Sequence, residues 1–142
     1  IGLEELHYAL YGERSVSLKT LKAELSQLRS LLPQSIEARI YRLSCEVQCD
    51  FLRAEQSLNA NLISSTFSLY KGSFLSKSES PLLSTWRHCF DARLSQLIYQ
   101  IKDIDQLLRI IGQTHDRIDA VQRLLELLPQ DSIHRNYFSN LI

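Results

Sequence analysis

An all-α fold is what this 142-residue sequence predicts, and three observations carry it. Leu occurs 26 times and Ile 12 times against three Val, a mix that favours helix over strand. Four Gly and three Pro supply little of the punctuation that hairpins need. Apolar residues recur at spacings of three and four along most of the chain. At 44% hydrophobic residues there is enough apolar material for a core, so wholesale disorder is not expected.

The first element is a short helix over 3–11, with Leu3, Leu6 and Leu10 on one side and Gly12 as a left-handed stop. A second helix is predicted over 17–32. Ser15 or Ser17 caps it, and Leu18, Leu21, Leu25, Leu28 and Leu32 form a coiled-coil seam until Pro33 forbids continuation. Ser35 then caps a third helix predicted over 35–71, with Gly72 as its stop. Its apolar positions recur every 11 residues: Ile36, Val47, Leu58 and Leu69 in one row, Ile40, Phe51 and Leu62 in another, with Leu43, Ala54 and Ser65 in the remaining slot. That repeat means about 3.67 residues per turn, a straight or very slightly right-handed rod.

Residues 72–80 are Ser-rich and aperiodic, the loop of a helical hairpin. Ser80-Pro81 supplies a cap followed by the residue best suited to the first helical position. A fourth helix is predicted over 81–128, where no Pro intervenes before Pro129. Its seam runs through Leu97, Ile101, Ile104, Leu108, Ile111, His115, Ile118, Gln122 and Leu125. A last short helix over 131–140 carries Ile133, Tyr137 and Phe138 toward a partner surface. At 1.5 Å per residue the two long helices reach about 54 and 72 Å. The expected architecture is one domain over 1–142, an elongated antiparallel helical hairpin or bundle with coiled-coil character.

Sixteen basic residues balance 16 acidic ones, so the overall charge offers no source for the phosphate attraction behind nucleic-acid binding. Charged or amide residues interrupt every Leu-rich stretch well short of the 18 or so apolar residues of a membrane span, so membrane insertion is not expected. The chain opens at Ile1 with no Met, which reads as an excised domain. Three Cys without a disulfide-dense pattern read as reduced thiols of a cytoplasmic or nuclear protein.

Chemistry is sparse. Cys45, Cys49, His88 and Cys89 have the residue types of a zinc site, but structural zinc draws Cys from tight loops, and antiparallel rods would hold the two pairs tens of Å apart. His88 and Cys89, adjacent on a helix, point about 100 degrees apart and make no nucleophile and base. His115 with Asp116 and Asp119 reads as a register device at a seam position rather than an acid-base or metal cluster. Asp103 and Asp105 lie on different helix faces. Gly-rich phosphate loops, nucleophile elbows and zinc motifs of the His-Glu-x-x-His type do not occur. Arg39, Arg42, Arg53, Arg109, Arg117 and Arg123 alternate with acids and read as a solvated, salt-bridged face. Trp86, near Phe90 and the loop residues Phe74 and Leu75, reads as a cap on the bundle end. Ser73, Ser76, Ser78 and Ser80 form a candidate phosphorylation segment, Ser80-Pro81 fitting a proline-directed site. The sequence therefore predicts a non-enzyme with no cofactor, catalytic residue or metal.

What it does predict is unpartnered seam. Beside its seam the fourth helix carries Leu94, Ile98, Leu107, Ile110, Val121, Leu124 and Leu128, an apolar stripe too wide for two strands. Other coiled-coil chains, in a hetero-oligomer or a homodimer, are the expected partners. Candidate interface positions are Leu18, Leu21, Leu25, Leu28, Leu97, Ile101, Ile104, Leu108, Ile111, His115, Ile118, Leu125, Tyr137 and Phe138. The alternative is a self-contained helical module or effector that recognises a trafficking or GTPase partner.

The stretch from Leu3-Glu4-Glu5-Leu6 to Tyr11-Gly12-Glu13, the stretch Leu32-Pro33-Gln34-Ser35-Ile36-Glu37-Ala38-Arg39-Ile40 and the stretch Phe51-Leu52-Arg53-Ala54-Glu55-Gln56 resemble, in the same order, the family of the smallest shoulder subunit of the dynactin complex. That resemblance implies a noncatalytic helical subunit that copacks with longer coiled-coil chains in a microtubule-motor adaptor.

Overall fold

The computed structural model describes residues 1–37, 40–114 and 116–140. Among these it is all-helical, with eight α-helices, no strand and one isolated antiparallel bridge between Ile36 and Leu43. The chain divides into two compact units, Ile1–Gln48 with Leu75–Trp86 and Cys49–Phe74 with Arg87–Ile142.

In the first unit α1 (Leu3–Tyr11) packs on α2 (Leu18–Leu31). Glu5 reaches back to the Gly2 N–H at 2.9 Å and satisfies one of the donors a helix start leaves open. Gly12 closes α1 at φ +61°, where its N–H bonds the Tyr8 carbonyl, and a Cβ there would stand 2.9 Å from Pro81 Cγ. Backbone and sterics both require glycine. Ser17 caps α2, its Oγ accepting from the Thr20 N–H at 3.2 Å. Along that one stripe Leu21 and Leu25 are buried, while Leu18, Leu28 and Leu32 at its ends are exposed.

The helix predicted over 35–71 is not one element. The described part of 36–49 turns back on itself, with the Glu37 N–H bonded to the Arg42 carbonyl at 3.1 Å and the Ser44 N–H to the Ser35 carbonyl at 2.9 Å. Arg29 holds this turn against α2, lying over the Tyr41 ring and donating to the Glu37 carbonyl at 3.2 Å. Ile36, Ile40, Tyr41, Cys45, Val47 and Cys49 are all weak helix formers, and the 11-residue period does not outweigh them. Helix resumes as α3 (Asp50–Asn59) and α4 (Ile63–Leu69), parted by Asn61 at φ +54°. Asn takes the left-handed conformation at less cost than most residues, which ends α3 there.

The helix predicted over 81–128 likewise divides, into α5 (Pro81–Gln100), α6 (Ile104–Gln113) and α7 (Ile118–Leu127). Asp103 Oδ1 accepts from the Asp105 N–H at 3.0 Å and starts α6 afresh as a cap. Thr114 ends α6, its hydroxyl donating to the Ile110 carbonyl at 2.8 Å, a local bond that competes with continued helix. Each interruption resets the helical phase. Buried in the second unit are Leu94, Leu97, Ile98 and Ile101, then Leu107 and Ile110, then Ala120, Val121, Leu124 and Leu128. In this unit α3 packs on α4, α4 on α6, α6 on α7 and α7 on α8 (Ile133–Ser139). Arg135 bonds the Leu125 and Leu128 carbonyls at 2.7 and 2.9 Å, satisfying the open end of α7.

Candidate functional site

The positions predicted to meet a partner fall into three groups. Leu21, Leu25, Leu97, Ile101 and Phe138 are buried within the chain, so they are core residues and not available surface. Ile104, Ile111 and Leu125 are half-buried, and Leu18, Leu28, Leu108, Ile118 and Tyr137 are exposed. His115 lies outside the described residues, as does Arg39. The seam from Ile104 onward is corrected by the breaks between α5, α6 and α7: Leu107, Ile110, Val121, Leu124 and Leu128, read from sequence as surplus, face inward, and Thr114 and Arg117 are buried with them.

The most exposed apolar surface of the first unit is the end of α2 and the turn that follows. Leu28, Leu31 and Leu32 are exposed there, Leu31 at 71%, as are Ile40, at 60%, Leu43 and Val47. The turn is held to α2 by the Arg29 contacts and closed on itself by Ser44 Oγ, which donates to the Gln34 carbonyl at 2.9 Å. These side chains are therefore offered by an anchored segment and not by a free tail.

The second unit contains a polar centre that the sequence did not announce. Arg117, only 8% exposed, donates from Nε to Asp119 Oδ1 at 3.0 Å, from Nη1 to Asp91 Oδ1 at 3.2 Å and from Nη2 to Ser95 Oγ at 2.8 Å, with a further short ion pair to Asp119 Oδ2. Ser95 Oγ donates in turn to Asp119 Oδ2 at 2.6 Å. Burial works against the Arg117 charge, but the bonds and charge of Asp119 outweigh it and hold the guanidinium above its usual range. Burial also raises the Asp91 carboxyl, and the Arg117 charge offsets only part of that. Tyr70 is buried and donates to Asp116 Oδ2 at 2.8 Å. Burial first and that bond second push its hydroxyl far up, so it stays a neutral donor. The arrangement ties α5 to the start of α7 and is fully satisfied within itself, the condition under which a buried charge is tolerated. Arg117 was read from sequence as one member of a solvated stripe. The one signal pointing elsewhere was its place between Thr114, which ends α6, and Asp119 in the first turn of α7, where a helix break would carry it inward.

Cys45 and Cys89 are exposed and Cys49 half-buried, all as free thiols. Among the described residues no group of three or more His, Cys, Asp or Glu is placed to hold a metal ion, and no helix is long and apolar enough to cross a membrane. An open groove along α4 and α6 is lined by polar residues, among them Ser64, Ser68, Asp103 and Arg109, and by the apolar Ile63, Phe67 and Ile110, a mixed surface without a paired nucleophile and base. No protein-family model, no curated protein and no solved structure matches the chain.

Proposed function

We propose that the chain is a non-enzymatic helical scaffold subunit that docks against other helical chains in a heteromeric cytoplasmic assembly. The observation that carries this reading is the exposure of Leu28, Leu31, Leu32, Ile40, Leu43 and Val47, since exposed apolar side chains on a helix end and on the turn anchored to it favour contact with a second chain. The helices are short, so docking runs through helix ends and turns and not along one continuous seam. The likeness of residues 3–13, 32–40 and 51–56 to the dynactin shoulder subunit supports a motor adaptor as the assembly.

A second reading, a self-contained helical binding module, draws on a different observation. Leu94, Ile98, Leu107 and Leu124 are completely covered by the chain itself, so the widest apolar stripe needs no partner. One experiment separates the two. The tagged full-length protein is purified from its native source and the mass and stoichiometry of its complex are measured by gel filtration with light scattering. Fixed-ratio helical partners, lost in Leu31→Asp and Leu43→Asp variants of unchanged circular dichroism, are the expected result. A lone chain at the mass of its monomer overturns the scaffold and leaves the binding module.

A further inference from the structure

Three contacts hold the end of α1 to residues 79–81. The Ser80 hydroxyl donates to the Ala9 carbonyl at 2.7 Å. Arg14 makes a 2.7 Å ion pair with the Glu79 carboxylate and a 2.9 Å bond to its carbonyl. Gly12 lies so close to Pro81 that a Cβ would collide with the ring. Against α2 and the turn before it, α1 adds the Tyr11 hydroxyl on Glu24 at 2.6 Å and a His7 ring contact with the Val16 carbonyl at 2.7 Å. None of its residues is buried. A helix held by a handful of polar contacts and no core residue sits at the low end of local stability.

We propose that Ser80 is a phosphorylation site for a proline-directed serine/threonine kinase, and that its modification releases the end of α1 from the start of α5. The γ-phosphoryl group of a nucleoside triphosphate passes to Ser80 Oγ, the hydroxyl proton goes to the kinase's base and the nucleoside diphosphate leaves. Ser80 Oγ then has no hydrogen to give the Ala9 carbonyl, and a group of about −1.5 to −2 charge faces that carbonyl oxygen instead. The other neighbours accept the change. Ser80 is the cap of α5, its carbonyl bonded by the Ser84 N–H at 2.9 Å and its Oγ facing the Leu83 N–H at 3.4 Å, so the charge sits at the positive end of a 20-residue helix. Modification thus favours α5 and rejects α1.

Recognition follows from the Ser80-Pro81 dipeptide and from Ser76, Lys77 and Glu79, exposed in a helix-free approach. Ser80 itself is 5% exposed, so only the state with α1 lifted presents its hydroxyl. Phosphorylation captures that minor state and makes it the major one. Leu3, Leu6 and Leu10, half-buried while α1 is docked, then become available to a partner.

The test treats the full chain with a proline-directed kinase and magnesium ATP, maps phosphate by mass spectrometry and follows amide hydrogen exchange. Ser80 is expected to take up phosphate, with exchange of residues 3–11 rising about tenfold and that of 81–100 unchanged. Ser80→Ala, which loses the bond without gaining charge, is expected to raise exchange by less. Arg14→Ala is expected to lift α1 and speed the modification several-fold, and Pro81→Ala to abolish it. The proposal is overturned if Ser80 stays unmodified even in Arg14→Ala, where faster exchange of 3–11 has shown the site open. It is equally overturned if Ser80 is phosphorylated and the exchange of 3–11 does not move.

Discussion

Along α2 the leucine stripe is buried at Leu21 and Leu25 and bare at Leu18, Leu28 and Leu32; along α7 the stripe Ala120, Val121, Leu124 and Leu128 is buried from end to end. The two helices have similar apolar patterns, so pattern alone does not decide burial. The second unit covers its stripe because the breaks between its helices let α6 fold onto α7 and α4 onto α6, with α5 bonded to Arg117 at the start of α7, whereas α2 meets one short helix and a turn. Chain reversal creates the coverage, and the first unit has less of it. One region is therefore built for self-sufficiency and the other keeps apolar surface to offer.

Truncation in the covered region gives the largest expected effect. Leu94→Ala and Leu124→Ala each remove a side chain with no exposed surface and are expected to cost about 3 kcal/mol in urea unfolding. Leu28→Ala, on the bare end of α2, is expected to cost under about 1 kcal/mol. Equal losses at the three positions would erase the distinction between the regions. Arg117→Ala comes next, at about 2 kcal/mol, because it strands Asp119 in a half-buried site. The figure stays at the low end since Asp91 keeps 39% of its side-chain surface in water. Arg117→Lys is expected to recover only part, as an ammonium cannot reproduce the fork that reaches Asp91, Ser95 and Asp119 together.

The all-helical class was legible because it depends on composition, which 26 Leu and few Gly express directly. Interruption was harder to see. Asp103, Thr114 and Asn61 each break a helix through a local side-chain bond or a left-handed backbone, and at each the apolar spacing continues through the break and hides it. Period outvoted punctuation, and a slip of one position at a break moved the inward face from Ile104, Leu108 and Ile111 to Leu107 and Ile110. The Arg117 centre was invisible for the same reason: an arginine on an unbroken helix belongs to the surface, and only the break turns it inward.

Gly12 sharpens the comparison from the weaker side. Gly12→Ala puts a Cβ against Pro81 and a non-glycine residue at positive φ, and is expected to cost about 1 kcal/mol or more, read as faster exchange of residues 3–11 with the second unit's exchange unchanged. Leu31→Asp and Leu43→Asp are expected to change stability by less than about 0.5 kcal/mol, because both side chains already face water. A larger loss would place those leucines in a core and contradict the docking surface.

The smallest expected effect concerns pH and belongs to the covered region alone. Asp91 is held above its ordinary value of 3.8, chiefly by burial and against the pull of Arg117. As pH rises past 3.8 the unfolded chain ionises this carboxyl first, while the folded chain still holds its proton. The unfolded state therefore releases more protons, and folding loses stability at this residue as pH climbs through the folded value. The contribution is fully present below 3.8, where both states are protonated. Other carboxylates move overall stability with pH as well, so the useful quantity is the difference between Asp91→Asn and the parent chain, followed by denaturation from below pH 3.8 upward. Asn keeps an oxygen for Arg117 Nη1 and has nothing to titrate. The difference is expected to drift in favour of Asn as pH rises and then to level off. A drift of opposite sign would mean that Arg117 outweighs burial at Asp91, and that the polar centre is held together by its charges more than it is strained by their enclosure.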